Sequence, residues 1–148
     1  MKFSLALPRE ALSIPVIRRV VGDALRGLGV SEDCVADILV AVSEACTNVV
    51  QHALAGNEFE ILGWVDDGAC VLKVLDGGSG PRRTTSTDDP GDLAESGRGL
   101  RIMRALVDEL RIDAASERGT VVHLRKRLTW NDGALVRRLE RQLTRTAG

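Results

Sequence analysis

The sequence predicts a two-layer α/β (α+β) sandwich, in which a mixed, mostly antiparallel sheet carries three helices on one face. Segments with the strand period of two and segments with the helix period of 3.6 follow one another in the order β-α-α-β-β-α-β-β. Short turn-forming segments separate two pairs of neighbouring strands, and such hairpins make the strands antiparallel. Helices between the strands of such a sheet bury their apolar stripes against it, which gives two layers.

The first two elements are an edge strand and an amphipathic helix. Polar and apolar side chains alternate over residues 2–7, and Pro8 then removes a backbone donor, which is typical of an edge strand. Ser13 can cap the helix that follows, because its oxygen can accept from the exposed N–H groups of the first turn. Gly27 and Gly29 supply the end of this helix.

A longer helix follows, with Ser31 as its predicted N-cap and its end at Gly56. Its broad apolar face consists of Val35, Ile38, Leu39, Val42, Cys46, Val49 and Ala53. Glu44, Asn48 and His52 stand four residues apart and line up along a different face, the polar stripe. Glu44 and His52 are the only acidic or basic side chains between Ile38 and Asn57. The stripe is either an ordinary solvated face or, as its low charge favours, a face covered by a bound ligand.

The remaining elements follow in order. They are strands over 58–65 and 70–75, a polar loop over 81–96, a helix opened by 97–99, strands over 111–115 and 120–127, and an Arg-rich helix over 134–144. The mostly apolar strand over 70–75 is predicted to be central. The polar loop is long enough to be a lid or a binding loop. Residues 1–130 are predicted to form a single domain and 131–148 a C-terminal helical extension. This Arg-rich helix either binds a partner or, as its apolar line favours, packs Leu135, Leu139 and Leu143 on the sheet edge.

Composition limits the classes of function. A net charge of -1 over 148 residues gives no electrostatic case for a direct nucleic-acid or membrane partner. No apolar run approaches the ~18 residues of a membrane span, so we expect a cytoplasmic protein. Cys34, Cys46 and Cys70 form no CxxC pair, which predicts buried, reduced thiols and no zinc site.

Chemistry is indicated by an ordered set of motifs: E-x-x-x-N-x-x-x-H on a helix, D-x-G-x-G at a strand end, G-x-G-L at a predicted helix start, and Gly119-Thr120 at the start of a strand. Neither the P-loop sequence nor G-x-G-x-x-G occurs, so a different phosphate-binding solution is needed. Each motif has a use in holding a nucleotide.

Asp76 ends a buried strand, where its carboxylate can accept a hydrogen bond from the exocyclic amine of adenine. Gly78 and Gly80 let the backbone approach the base, because they lack a Cβ atom. The N–H groups of residues 97–99, at the predicted start of a helix, offer an anion site for phosphates.

The polar stripe supplies the other two groups. Asn48 offers a neutral oxygen to Mg²⁺, which takes substrate phosphates and waters as its other ligands. Glu44, one helical turn away, can orient or deprotonate the attacking nucleophile.

This motif set resembles the boxes of the GHKL ATPase superfamily. The segments EACTNVVQHA, DGGSG, GRGLRIMRALVDEL and GTVVHL resemble the sequences of the bacterial anti-sigma factor serine/threonine-protein kinases. The resemblance spans roughly residues 5–127. It implies the Bergerat (histidine-kinase-like) fold, the cofactors ATP and Mg²⁺, and usually a homodimer. It also implies a sigma factor and an anti-anti-sigma STAS-domain protein as partners, the latter phosphorylated on serine.

The resemblance also implies residue roles. Glu44 takes the position of the catalytic base, Asn48 that of the magnesium ligand and Asp76 that of the adenine contact. Nucleotide-contact positions fall on Gly78, Gly80, Gly97, Arg98, Gly99, Leu100 and Thr120. Pro81 departs from the family pattern, and the candidates for a γ-phosphate contact are Arg82, Arg83, Arg98 and Arg101.

Three alternatives stay open from the sequence. The first is a nucleotide-binding anti-sigma or regulatory module without significant kinase activity. The second is a detached histidine-kinase catalytic domain, although neither histidine precedes the central helix. The third is another class of ATPase, which would need transducer domains.

Overall fold

A computed structural model of the protein describes residues 1–52, 58–66, 68–76, 90–116 and 119–147. The elements are β1 (Lys2–Pro8), α1 (Ser13–Gly27), α2 (Glu32–His52), β2 (Glu58–Val65), β3 (Ala69–Asp76), α3 (Pro90–Leu106), β4 (Glu109–Ser116), β5 (Gly119–Arg127) and α4 (Asp132–Ala147). Their order confirms the predicted alternation of strands and helices.

The five strands form one sheet in the order β1-β2-β3-β5-β4. All four neighbouring pairs are antiparallel, so the sheet is not mixed. β1 lies at an edge and β3 in the centre, as the patterns predict. The hairpin between β2 and β3 is stabilised by Asp66, whose Oδ1 accepts from the backbone N–H groups of Gly68 and Ala69 at 2.8 and 2.7 Å.

The core lies between the sheet and the first three helices, which confirms the two-layer sandwich. α1 contributes Ile17, Val21 and Leu25, α3 contributes Met103, and β2 contributes Phe59 and Ile61. α2 lies in the middle of the helical layer and buries the predicted face, including Val35, Ile38, Val42, Cys46 and Val49. Among the described residues, no helix is long and apolar enough to cross a membrane.

The ends of α1 differ in part from the prediction. Ser13 is the first helical residue and not the N-cap, because its hydroxyl donates to the carbonyl oxygen of Pro8 at 2.6 Å. The other end is as predicted. Gly29 has φ 88°, a left-handed conformation that glycine adopts without steric cost, and it turns the chain so that Val30 N–H donates to Leu25.

Helix α3 begins at Pro90, so the prediction of a loop reaching residue 96 and a helix opening at Gly97 was wrong. Proline suits the first turn of a helix, since its φ is preset and its missing N–H would have no partner there. The N–H groups of residues 97–99 are inside the helix, where they donate to helical carbonyls. They cannot form the predicted helix-start anion site. The rest of the predicted loop, residues 81–89, lies outside the described residues.

Helix α4 was predicted over residues 134–144, and its environment differs from the prediction. Leu139 and Leu143 are 49% and 69% exposed, so these two residues do not pack on the sheet edge, and the side chain of Leu135 lies outside the described residues. The helix instead turns Arg137, Arg138 and Arg141 toward the body of the protein. The guanidinium of Arg138 stacks over the Trp130 ring, with its central carbon 3.7 Å from the ring centroid.

The edge strand β1 is seated by an aromatic ring on a glycine. Phe3 stands directly opposite Gly63 of β2 in the register. A Cβ atom built on Gly63 would lie 2.2 Å from the Phe3 ring, so no larger residue fits there without displacing the ring. The phenyl group thus occupies the space that a side chain at residue 63 would need.

Candidate functional site

The direction of α2 decides which end of the sheet its polar stripe approaches. Near the start of the helix, Cys34 Sγ lies 3.6 Å from the carbonyl oxygen of Arg127, and Asp37 forms a 3.3 Å ion pair with Lys126. α2 therefore begins at the last residues of β5. It runs back toward the end of the sheet where β5 begins and β3 finishes, so Glu44 and Asn48 approach that end.

Glu44 and Asn48 meet the backbone of α3 at Gly99. A Cβ atom built on buried Gly99 would lie 3.2 Å from Glu44 Oε2 and 3.5 Å from Asn48 Oδ1. The carboxylate, the amide and the helix backbone thus converge on one place. Both stripe side chains are half-buried, so the polar stripe is not a fully solvated helix face. Part of its cover is α3 itself, which the sequence did not predict.

Asp76 and Thr120 lie at the end of the sheet that α2 approaches. Leu75 and Val121 are paired in the register of β3 and β5, so Asp76 and Thr120, which are next to them, end the same edge of two neighbouring strands. Both side chains are half-buried. The fold thus brings Glu44, Asn48, Gly99, Asp76 and Thr120 to one end of the sandwich.

The other predicted site residues have different positions. Gly97 faces open space, since a Cβ atom there would meet nothing within 4 Å. Arg98 and Arg101 are exposed on α3, and Leu100 is partly buried against the core. Gly78 and Gly80 lie outside the described residues, as do Arg82 and Arg83.

Sequence reasoning missed a contact that positions the helix turn before Glu44. Arg18 of α1 donates through Nη1 to Ser43 Oγ at 2.7 Å and to the carbonyl oxygen of Leu39 at 3.3 Å. Ser43 Oγ in turn donates to the Leu39 carbonyl at 2.6 Å. This network ties α1 to α2 beside the polar stripe. No local signal could have revealed it, because its partners are far apart along the chain.

The cysteines are packing residues, as predicted. All three are buried free thiols. Burial raises the pKa of Cys46 and of Cys70 to about 12, so both stay protonated at neutral pH. A protonated thiol is a poor nucleophile and a poor metal ligand. Neither residue therefore supplies the chemistry of this site.

Comparison with known proteins shows the family of this chain. The family model of the histidine kinase-like ATPase domain matches residues 7–126. The chain belongs to the histidine kinase-like ATPase family. The matched range contains the candidate site residues that the structure describes, from Glu44 to Thr120.

Two similar relatives are both named serine-protein kinase RsbW. Serine-protein kinase RsbW of Bacillus subtilis (strain 168) is 32% identical over 136 residues, which cover 82% of each chain. Serine-protein kinase RsbW of Bacillus licheniformis is 31% identical over 150 residues, covering 90% of this chain and 91% of that protein. These matches confirm the resemblance to the anti-sigma factor serine kinases.

A solved structure supports the same conclusion. The crystal structure of the RsbU and RsbW domains of Rv1364c from Mycobacterium tuberculosis is similar with a TM-score of 0.64 and 25% identity. The match covers 86% of this chain and 32% of that chain. The sandwich described above is therefore the fold of an RsbW-like ATPase domain.

Proposed function

We propose that this ATPase-family chain is an ATP-binding anti-sigma factor and protein serine kinase. In this proposal it binds a sigma factor and phosphorylates a serine on an anti-anti-sigma (STAS-domain) partner. The observation that carries the proposal is the convergence of Glu44 and Asn48 on the backbone of α3 at Gly99. Relatives named serine-protein kinase RsbW, at about 32% identity, support the same activity.

The residues at this end of the sandwich fit a magnesium nucleotide. Carboxylate and amide oxygens are the hard ligands that Mg²⁺ takes in proteins. At Gly99 the α3 backbone comes close to both side chains, and a Cβ atom there would lie 3.2 Å from Glu44 Oε2. Asn48 would hold the metal, Asp76 would accept from the adenine amine, and Thr120 and Leu100 would line the nucleotide. Gly97, Arg98 and Gly99 remain proposed nucleotide contacts. They would contact the nucleotide from within α3 and not from the start of a helix.

Glu44 is the residue proposed to act in the chemical step. When bound, ATP would supply the phosphoryl group, and Mg²⁺ would neutralise part of the negative charge on the phosphates. Glu44 would accept the proton of the partner's serine hydroxyl as that oxygen bonds to the γ-phosphorus of ATP and ADP leaves, and general-base help of this kind contributes ~10²–10⁴-fold in rate. A module that only binds nucleotide would not need a carboxylate at this position.

The partners and the assembly are part of the same proposal. We propose a cytoplasmic homodimer that acts in a stress response. Half-buried apolar side chains on the sheet face opposite the helices, such as Leu62, Val71 and Val121, support self-association. Sedimentation of the protein at micromolar concentration tests the homodimer independently of the kinase.

The decisive experiment is incubation of the protein with labelled ATP, Mg²⁺ and STAS-domain proteins from the same genome. Transfer of label to a serine of one of them is the expected result. If nucleotide and a sigma factor bind but no partner is labelled, the binding-only function is the better description.

Nucleotide selectivity tests the adenine contact separately. Asp76→Ala should weaken ATP binding by about 1.5–3 kcal/mol, the range for a hydrogen bond to a charged group, and should reduce discrimination against GTP. Calorimetry with both nucleotides measures this. Equal ATP and GTP affinity in the unmodified protein would contradict the assignment of Asp76.

A further inference from the structure

A second concave surface lies at the other end of the sandwich. A cleft of about 760 Å³ opens between α4 and the connection from α1 to α2. Arg26, Arg137, Arg138 and Arg141 line it, and we call it the arginine cleft. Asp66, also in its lining, precedes β3, whereas Asp76 ends that strand. Eight residues of β3, at ~3.3 Å each, separate this cleft from the nucleotide site by more than about 20 Å.

The charge of the arginine cleft is strongly one-sided. Of the described residues that line it, Asp66 alone carries a carboxylate. Arg26 is paired with Glu32, which lies outside the lining, at 2.9 Å. Within the described part of the chain, no carboxylate lies within 4.0 Å of the Arg137 or Arg141 guanidinium group. Four guanidinium groups that share a cleft repel one another, and an anion between them would remove that repulsion.

The cleft is held in place by main-chain hydrogen bonds and not by α4 alone. Val30 and Trp130 form an antiparallel bridge, and the N–H of Ser31 donates to Thr129 at 2.9 Å. The N–H of Asn131 donates to Gly29 at 2.9 Å. These bonds fix the start of α4 against the connection between α1 and α2. The arginines on its second and third turns are therefore presented on a preformed surface.

We propose that the arginine cleft binds an acidic polypeptide segment of a protein partner. Guanidinium groups are planar forks that match carboxylates in two parallel hydrogen bonds. Open clefts lined by charged groups differ from small-molecule pockets, which are mostly apolar and enclose their ligand. The site belongs to a different surface from the nucleotide and does not depend on kinase activity.

Two features favour a polypeptide over a nucleic acid. Met1 and Leu28 line the cleft and are 50% and 38% exposed, so they offer apolar contacts that a peptide side chain can cover. Asp66 can accept a further hydrogen bond, and a peptide backbone has N–H groups to donate to it. A phosphodiester backbone has neither apolar side chains nor donors.

The test uses the full chain and two labelled peptides, (Glu-Glu-Leu)5 and the neutral (Gln-Gln-Leu)5, with binding followed by fluorescence anisotropy. We expect the acidic peptide to bind and the neutral peptide to bind at least tenfold more weakly. Arg137→Glu with Arg141→Glu should weaken binding of the acidic peptide at least tenfold, and Arg137→Gln with Arg141→Gln should weaken it less.

The matched control is Arg19→Glu with Arg111→Glu, which makes the same charge change at two exposed sites away from the cleft. Its affinity for the acidic peptide should stay within twofold of that of the unmodified protein. Equal losses in the control and in the cleft variants would overturn the proposal, since they would reveal only a general charge effect. Absence of binding to the acidic peptide would also overturn it.

Two other occupants are separated by the same variants. A 15-nucleotide oligothymidylate that binds through Arg137 and Arg141 more tightly than the acidic peptide would replace the polypeptide with nucleic acid. If the unmodified protein is a dimer and the variant Arg137→Glu with Arg141→Glu is a monomer, the cleft is an interface between two copies of the chain. Either result would overturn the proposal of an acidic partner segment.

Discussion

Helices α2 and α4 are both amphipathic, but they place their faces in opposite environments. α2 buries the described part of its apolar face in the core and leaves Glu44 and Asn48 half-buried beneath α3. α4 lines a cleft with Arg137, Arg138 and Arg141 and leaves Leu139 and Leu143 toward solvent. The same sequence period thus supports a rigid site in one helix and a charged, open surface in the other. What distinguishes the two is the neighbour that each face meets.

The largest expected effect tests whether the polar stripe of α2 is chemical or structural. Glu44→Gln keeps the size and hydrogen bonding of the side chain but lacks a basic carboxylate. Phosphotransfer to the partner should fall ~10²–10⁴-fold while Mg-ATP binding is retained. Asn48→Ala should instead weaken Mg-dependent nucleotide binding, because it removes the metal ligand.

Nucleotide affinity and single-turnover phosphotransfer are measured on both variants. If Glu44→Gln transfers phosphate at the wild-type rate, the polar stripe is a structural feature. Helices α2 and α4 would then differ only in how their faces pack.

The next effect concerns the apolar faces of the two helices. Ile38 of α2 is 2% exposed and Leu139 of α4 is 49% exposed. Ile38→Ala should lower the free energy of unfolding by about 2–5 kcal/mol, because it removes buried methyl groups and leaves a cavity. Leu139→Ala should change it by less than about 0.5 kcal/mol, as is usual for surface positions. Urea unfolding of both variants decides this, and a large cost at Leu139 would show that its apolar line is buried in solution.

A smaller effect separates the two glycines of α3. Replacing glycine by alanine inside a helix raises the free energy of unfolding by about 1 kcal/mol, so Gly97→Ala should stabilise the protein by that amount. Gly99→Ala should gain less or lose stability, because its methyl group would lie 3.2 Å from Glu44 Oε2. Urea unfolding without nucleotide compares the two. Equal gains at both positions would mean that α3 does not press on the polar stripe.

The smallest effect concerns the inward face of α4. Arg138→Ala should cost about 0.5–1 kcal/mol of stability, because it removes the stacking of a guanidinium on Trp130. Arg137→Ala, one residue away, should be neutral or slightly stabilising, since it reduces crowding of like charges in the arginine cleft. Thermal unfolding at low and high salt measures both. A larger loss at Arg137 than at Arg138 would show that charge in the cleft is already compensated.

Much of this fold could be predicted because its signals are local. The order of strands and helices, the edge position of β1 and the alignment of Glu44 with Asn48 follow from periodicity and from Pro8. The start of α3 was missed because Pro90 was assigned to a polar loop, although proline also suits a first helical turn. Gly97 and Gly99 were assigned to a helix opening, whereas Gly99 serves close packing inside the helix.

The surroundings of each face could not be predicted in the same way. Periodicity shows that Leu139 and Leu143 share a face, but not that this face meets solvent. The hydrogen bond from Arg18 to Ser43 and the arginine cleft both join segments that are distant in sequence. Such contacts depend on how the helices are arranged on the sheet.

The ring of Phe3 over Gly63 has a consequence for misfolding. An edge strand carries open hydrogen-bonding groups and can pair in shifted registers or with another chain. A shift of β1 by one residue would turn Phe3 to the other face of the sheet and bring a residue with a side chain opposite it. The ring fits where a neighbour has no side chain, and Gly63 is the only glycine of β2. Gly63 thus favours one register of β1 on β2 and makes slipped pairing of these two strands energetically costly.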